Sequence, residues 1–107
     1  MRMIAYDGVA VLTTDAVADA VLDLAIIVAR FSSYERVTIP VLVHGDPEEL
    51  TLMLGPTIHI STLTDATKPE LELEGASDVA AALRRRTETF LDPLADTEEW
   101  EAVRIGR

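Results

Sequence analysis

Apolar residues in the first third of the chain recur at alternating steps of four and three: Val17, Val21, Leu24, Val28 and Phe31. That spacing predicts an amphipathic helix, and Thr13, Thr14 and Asp15 ahead of it offer N-cap side chains. At roughly 100° per residue, Asp19, Asp23 and Arg30 fall on one narrow polar stripe, while Val, Leu, Ile and Ala fill well over half of the circumference. A surface helix needs an apolar stripe only somewhat wider than about 100°. This helix therefore wants cover on two sides. One is the sheet; the other is either the C-terminal helix or the same helix of a second subunit, with Val21, Leu24, Ile27, Val28 and Phe31 at the interface.

Elsewhere the period is two. Met3 to Leu12 is apolar around Asp7-Gly8, a pair suited to a tight hairpin turn, so a short hairpin or a single strand is expected there. Val37, Ile39, Val41 and Val43 alternate with Thr38, Pro40, Leu42 and His44, as in a half-buried strand. Pro40 cannot donate to a ladder, which suggests an edge strand or a bulge. The next segment is ambiguous. Asp46, Pro47 and Glu49 resemble a helix start, but Leu50, Leu52 and Leu54 alternate with Thr51 and Met53, and strand is the favoured reading.

After the Gly55-Pro56 break, Ile58, Ile60 and Thr62 face one way and Thr57, His59 and Ser61 the other, which predicts a second hairpin with the preceding strand. Asp65 to Pro69 reads as a loop. Leu71 and Leu73, alternating with Glu70, Glu72 and Glu74, suggest a short strand with an acidic outer face, ended by Gly75. Ser77 can cap a second helix with Val79, Ala82, Leu83 and Phe90 on its apolar face, terminated by Asp92-Pro93. The tail holds a further cap signal at Asp96 or Thr97, then Trp100, Val103 and Ile105.

The order predicts an α+β fold: a two-layer sandwich in which an antiparallel sheet of three to five strands is covered by the long helix of the N-terminal half and a second, C-terminal helix. Residues 1–95 would form one domain and 96–107 a short tail with one helical turn at most. A long helix, an antiparallel sheet and a second helix in a small acidic chain resemble, at the level of architecture, dimeric bacterial secretion chaperones. Such a likeness implies a fold and no function.

Charge narrows the partners. The 107 residues carry 19 Asp and Glu against 9 Lys and Arg, a formal net charge of -10. An anionic surface repels phosphate backbones and anionic headgroups, so neither nucleic acid nor membrane is an expected partner. A basic or amphipathic protein partner, or a cation, fits that field better. There is no cysteine, which removes disulfides, thiolate nucleophiles and zinc–thiolate sites. Asp7 interrupts the start before a secretory hydrophobic stretch can form, and Val17 to Ala29 is too short and carries too many carboxylates to span a bilayer. A cytoplasmic protein is expected.

Candidate chemistry is sparse. His44 and His59 are the only histidines, and a metal site needs a third well-placed ligand for which no motif exists. Asp15, Asp19 and Asp23 share one helix face but form a row that converges on nothing, so they read as a solvated stripe. No Gly-x-Ser-x-Gly element, P-loop or dinucleotide fingerprint occurs. Arg84, Arg85 and Arg86 fan around a helix instead of forming a flat basic face. No catalytic residue, metal or cofactor is expected.

The leading expectation is a non-enzymatic protein-interaction module that forms a homodimer, with Trp100, Val103 and Ile105 either folded back or docked on another chain. The alternatives are a small-molecule-binding or enzymatic domain, with His44, His59, Thr57 and Ser61 lining a pocket between sheet and helix, and a regulator such as an antitoxin paired with a basic protein.

Overall fold

A computed structural model describes residues 1–64, 70 and 72–91. Along the chain it contains β1 (Arg2–Tyr6), β2 (Val9–Thr13), α1 (Asp15–Arg30), β3 (Glu35–Val43), β4 (Asp46–Leu54), β5 (Ile60–Thr64) and α2 (Ala76–Leu91). The five strands form one antiparallel sheet in the order β4-β3-β2-β1-β5. The α+β architecture read from the pattern is the one observed. Asp92-Pro93, Trp100, Val103 and Ile105 lie outside the described residues, as does Leu71.

Two hairpins close on two-residue turns. Asp7 (φ 46°) and Gly8 (φ 81°) join the paired Tyr6 and Val9, and His44 (φ 51°) and Gly45 (φ 84°) join Val43 and Asp46. Positive φ at both central positions is the type I′ turn, whose twist matches that of the strands. The ambiguous segment is a strand throughout: Leu52 and Leu54 point into the core, and the Asp46-Pro47 start that mimics a helix N-terminus leads out of the turn.

Two expectations fail. Gly55-Pro56 does not turn β4 into a hairpin with β5; Ile60 to Thr64 pairs with β1 at the opposite edge of the sheet. Leu73 is buried between exposed Glu72 and Glu74, yet no strand forms at Glu70 or Glu72–Leu73. Alternation there reports which side faces the core without any ladder to hold it. Pro40 needs a different explanation as well, because β3 lies inside the sheet. It meets β2 through a single ladder pair, Leu12 with Leu42. Beyond that pair the Thr13 hydroxyl donates to the Pro40 carbonyl at 2.8 Å, so a side chain takes over at the position where proline offers no N–H.

The registers require the sheet to curl. From the Leu12–Leu42 pair, β3 and β4 run seven residues to Glu35 and Leu54 in one direction, while β2, β1 and β5 run three to Val9, Tyr6 and Ile60 in the other. A flat sheet would hold Leu54 and Ile60 about 33 Å apart along the strands. The chain between them spans at most about 20 Å, and the Ile58 N–H to Gly55 carbonyl bond (3.1 Å) shortens it further. The β3–β4 hairpin therefore wraps back, and the Tyr6 hydroxyl accepts from the Met53 N–H at 3.4 Å across the gap.

Helix α1 occupies the resulting trough. Thr14 caps its start, accepting from Val17 N–H at 3.2 Å. At its end Ser33 N–H bonds to Val28 O and Ser32 N–H to Ala29 O, with Ser32 at φ 52°, a Schellman cap with serine in the usual glycine position. Val17, Val21, Leu24 and Val28 have no exposed surface and share one core with Ile4, Ile39, Val41 and Leu54. The second side of α1 is covered by α2, through Ala76, Ala80 and Leu83. The helices run parallel, with Ala16 and Ala76 lining one cleft at their N-terminal ends and Phe31 and Phe90 at 5.8 Å between ring centroids at the other. Among the described residues no helix is long and apolar enough to cross a membrane.

Replacing Thr13 with valine keeps the volume and removes the bond to Pro40, leaving that carbonyl short of a partner. Urea denaturation should register a loss of about 1–3 kcal/mol; an unchanged midpoint would mean that the Thr13 bond does not hold β2 to β3.

Candidate functional site

Both helices pack on one face of the sheet, and the registers identify what lies on the other. Leu63 pairs with Met3, Met3 with Leu12, Leu12 with Leu42, and Leu42 with Pro47. Paired residues share a face, so these five form an apolar row across all five strands. In the β2-β1-β5 meander the outward positions are Ala10, Leu12, Met3, Ala5, Ser61 and Leu63, none of them charged. Leu63 is 68% exposed, and Ala5 and Ala10 are exposed beside it. The outward positions of β3 and β4 are mixed, with Arg36 and Glu49 among them and Thr38 bonded to Thr51 at 2.8 Å.

The two edges of the sheet differ in the same sense. Along β4 the first four residues, Asp46, Pro47, Glu48 and Glu49, are all exposed. Edge β5 reads Ile-Ser-Thr-Leu-Thr and carries neither charge nor proline.

The residues proposed as pocket-lining do not come together. His44 sits in the β3–β4 turn, whereas His59 lies beyond the far end of β4. Nine residues of strand, about 30 Å, intervene. His59 borders a shallow groove of about 240 Å³ between α1 and the β4–β5 connection, whose floor is apolar: Leu22, Ala25, Ile26, Pro56 and Ile58. Thr57 is engaged by the Tyr34 hydroxyl at 3.2 Å, and Ser61 points outward from β5. Gly55 lies against the Tyr34 ring, close enough that a Cβ there would overlap it.

Of the residues expected at an interface, Val21, Leu24 and Val28 are wholly buried by the chain itself and Ile27 nearly so, while Phe31 stays partly exposed beside Phe90. The exposed apolar residue of α1 is Ile26, on the opposite flank at the groove. Leu63, Met3 and Leu12 escaped the reading of the pattern. Their alternation was legible, but their alignment into one row depends on β5 pairing with β1.

Electrostatics organises the N-terminal strand. The Met1 ammonium lies 2.9 Å from Glu70 and 3.4 Å from Asp15, and Arg2 donates to Asp19. Part of the aspartate row on α1 thus balances the cations of β1. The hydrogen bond to Glu70, with smaller contributions from both carboxylates, raises the ammonium pKa above its usual 8.0 against the opposing effect of burial. Beside this cluster Glu70, Glu72, Glu74 and Asp78 line an acidic cleft. Among the described residues no group of three His, Asp or Glu is placed to hold a metal ion. No protein-family model, curated protein or solved structure matches the chain.

Two outcomes follow from these contacts. Gly55→Ala displaces the Tyr34 ring and should cost about 1–3 kcal/mol in a urea titration, together with altered Tyr34 fluorescence; a silent substitution would mean that the ring does not rest on Gly55. A raised folded-state pKa on the ammonium contributes stability that is complete below pH 8.0 and is lost as pH climbs through the folded value. Urea midpoints should fall over that window in the free chain and not in one acetylated at Met1.

Proposed function

We propose that the protein is a non-enzymatic interaction module that self-associates through the uncovered, uncharged outer face of the β2-β1-β5 meander. The observation that carries this reading is the row Leu63, Met3, Leu12, Leu42 and Pro47 on the face away from both helices, where Leu63 and Pro47 are exposed, Met3 and Leu12 half-buried and Leu42 buried at the join between the two halves of the sheet. Removing apolar surface from water is favourable by about 25 cal/mol per Å², and contiguous apolar patches on soluble proteins mark interaction sites. Electrostatics favours the same place. Two copies each carrying a net charge of -10 repel one another over most of their surfaces, and the outward side chains of the meander add nothing to that repulsion. The proposed setting is cytoplasmic.

A second reading, pairing with a basic protein, draws on the acidic cleft of Glu70, Glu72, Glu74 and Asp78. Such a partner would attach by charge, and its binding would weaken steeply with salt.

Static light scattering separates the two. Self-association gives a mass of about twice 11.7 kDa in the micromolar range and is not weakened by salt, which screens the repulsion between two anionic copies. Leu63→Lys should return the protein to the monomer with an unchanged circular dichroism spectrum. A wild-type chain that stays monomeric at every concentration tested would end this proposal.

A further inference from the structure

An edge strand presents a row of backbone N–H and C=O groups that can pair with another chain, and proteins normally guard such edges with charge, proline or a bulge. Here one edge is guarded and the other is not. Strand β4 begins Asp46-Pro47-Glu48-Glu49, whereas β5 is Ile60-Ser61-Thr62-Leu63-Thr64, with no guard residue and with nothing paired to its outer side among the described residues. We infer that two copies of this chain associate by antiparallel pairing of β5 with β5 about a two-fold axis, joining their sheets into one of ten strands. This inference rests on the self-association proposed above and places its contact at the β5 edge of that face, where Leu63 ends the row.

A second copy is the occupant because the strand is complementary to itself. Pairing over the full length sets Thr62 against Thr62, Ser61 against Leu63 and Ile60 against Thr64. The two Leu63 side chains then become diagonal neighbours on the outer face, about 7–8 Å apart and within reach of one another. Each is the end of its own apolar row, so the rows meet at the axis and run as one band from Pro47 of one copy to Pro47 of the other. Hydroxyl-bearing Thr62 and Ser61 are suited to cross-strand pairing, and no ionised side chain from either strand enters the junction.

The asymmetry of the edges also limits the assembly. Pairing β5 with β4 of another copy would repeat head to tail into a ring or a filament, and it would place the uncharged strand against Glu48, Glu49 and a proline that cannot donate. Pairing β5 with β5 consumes both open edges at once and leaves only guarded ones. The assembly stops at two.

The chain contains no cysteine, so a single introduced one reports on its own position alone. Thr62→Cys in the full-length protein should form a reducible disulfide-linked dimer under mild oxidation, because facing positions of paired strands lie within the roughly 4.4–6.8 Å Cα separation that a disulfide spans. Thr51→Cys, exposed on β4, should remain uncross-linked. In parallel, light scattering should find that Ser61→Lys weakens the dimer by at least about tenfold, whereas Thr51→Lys, exposed on β4, leaves it intact. A wild-type dimer that fails to cross-link through Thr62→Cys and withstands Ser61→Lys would overturn strand pairing while leaving self-association in place. A wild-type monomer would overturn both.

Discussion

The architecture depends on how little joins its two halves. Strands β2 and β3 meet at one ladder pair, Leu12 with Leu42, backed by the Thr13 hydroxyl on the Pro40 carbonyl. A full-length ladder would hold the β3–β4 hairpin in the plane of the meander. With one pair the hairpin is free to turn away, and Pro40 prevents the ladder from extending past the point where the turn begins. The proline inside this sheet is thus a device for bending it.

From that bend follows the division of labour between the two faces. The concave side takes in α1, whose Val17, Val21, Leu24 and Val28 lose all exposure, and the connection from Leu54 to Ile60 becomes short enough to cross to the far edge. Strand β5 can then lie beside β1, which places Leu63 next to Met3 and completes the apolar row. With α2 seated beside α1 on the same side, nothing described covers the other. The wide apolar arc of α1 and the helix-free outer face have one cause: both helices are spent on a single side of the sheet.

Much of this was legible in the residues, for identifiable reasons. Asp7-Gly8 announces its turn because both residues tolerate positive φ, and Leu50, Leu52 and Leu54 outvoted a helix-like Asp46-Pro47 start because burial of one face outweighs a local terminal preference. The width of the apolar arc on α1 correctly demanded a second neighbour, without distinguishing α2 from another subunit. What alternation cannot convey is adjacency. Ile60 and Thr62 declare which face is buried, but nothing in β5 names β1 as its neighbour, and Gly55-Pro56 looks like any hairpin turn. The histidines were misgrouped for the same reason: His44 and His59 seem near in a chain read as successive hairpins, and the length of β4 separates them.

Pairing β5 with β1 also has a kinetic side. The two hairpins close loops of two residues, whereas β1 and β5 join positions from Tyr6–Ile60 to Arg2–Thr64. Contacts so distant in sequence carry a larger loop-closure cost and slow folding. During synthesis the β1–β2 hairpin is complete long before Ile60 to Thr64 emerge, so β1 is the open edge of the nascent chain, flanked by Met3 and Ala5. The last strand to arrive both seals that edge and replaces it with its own.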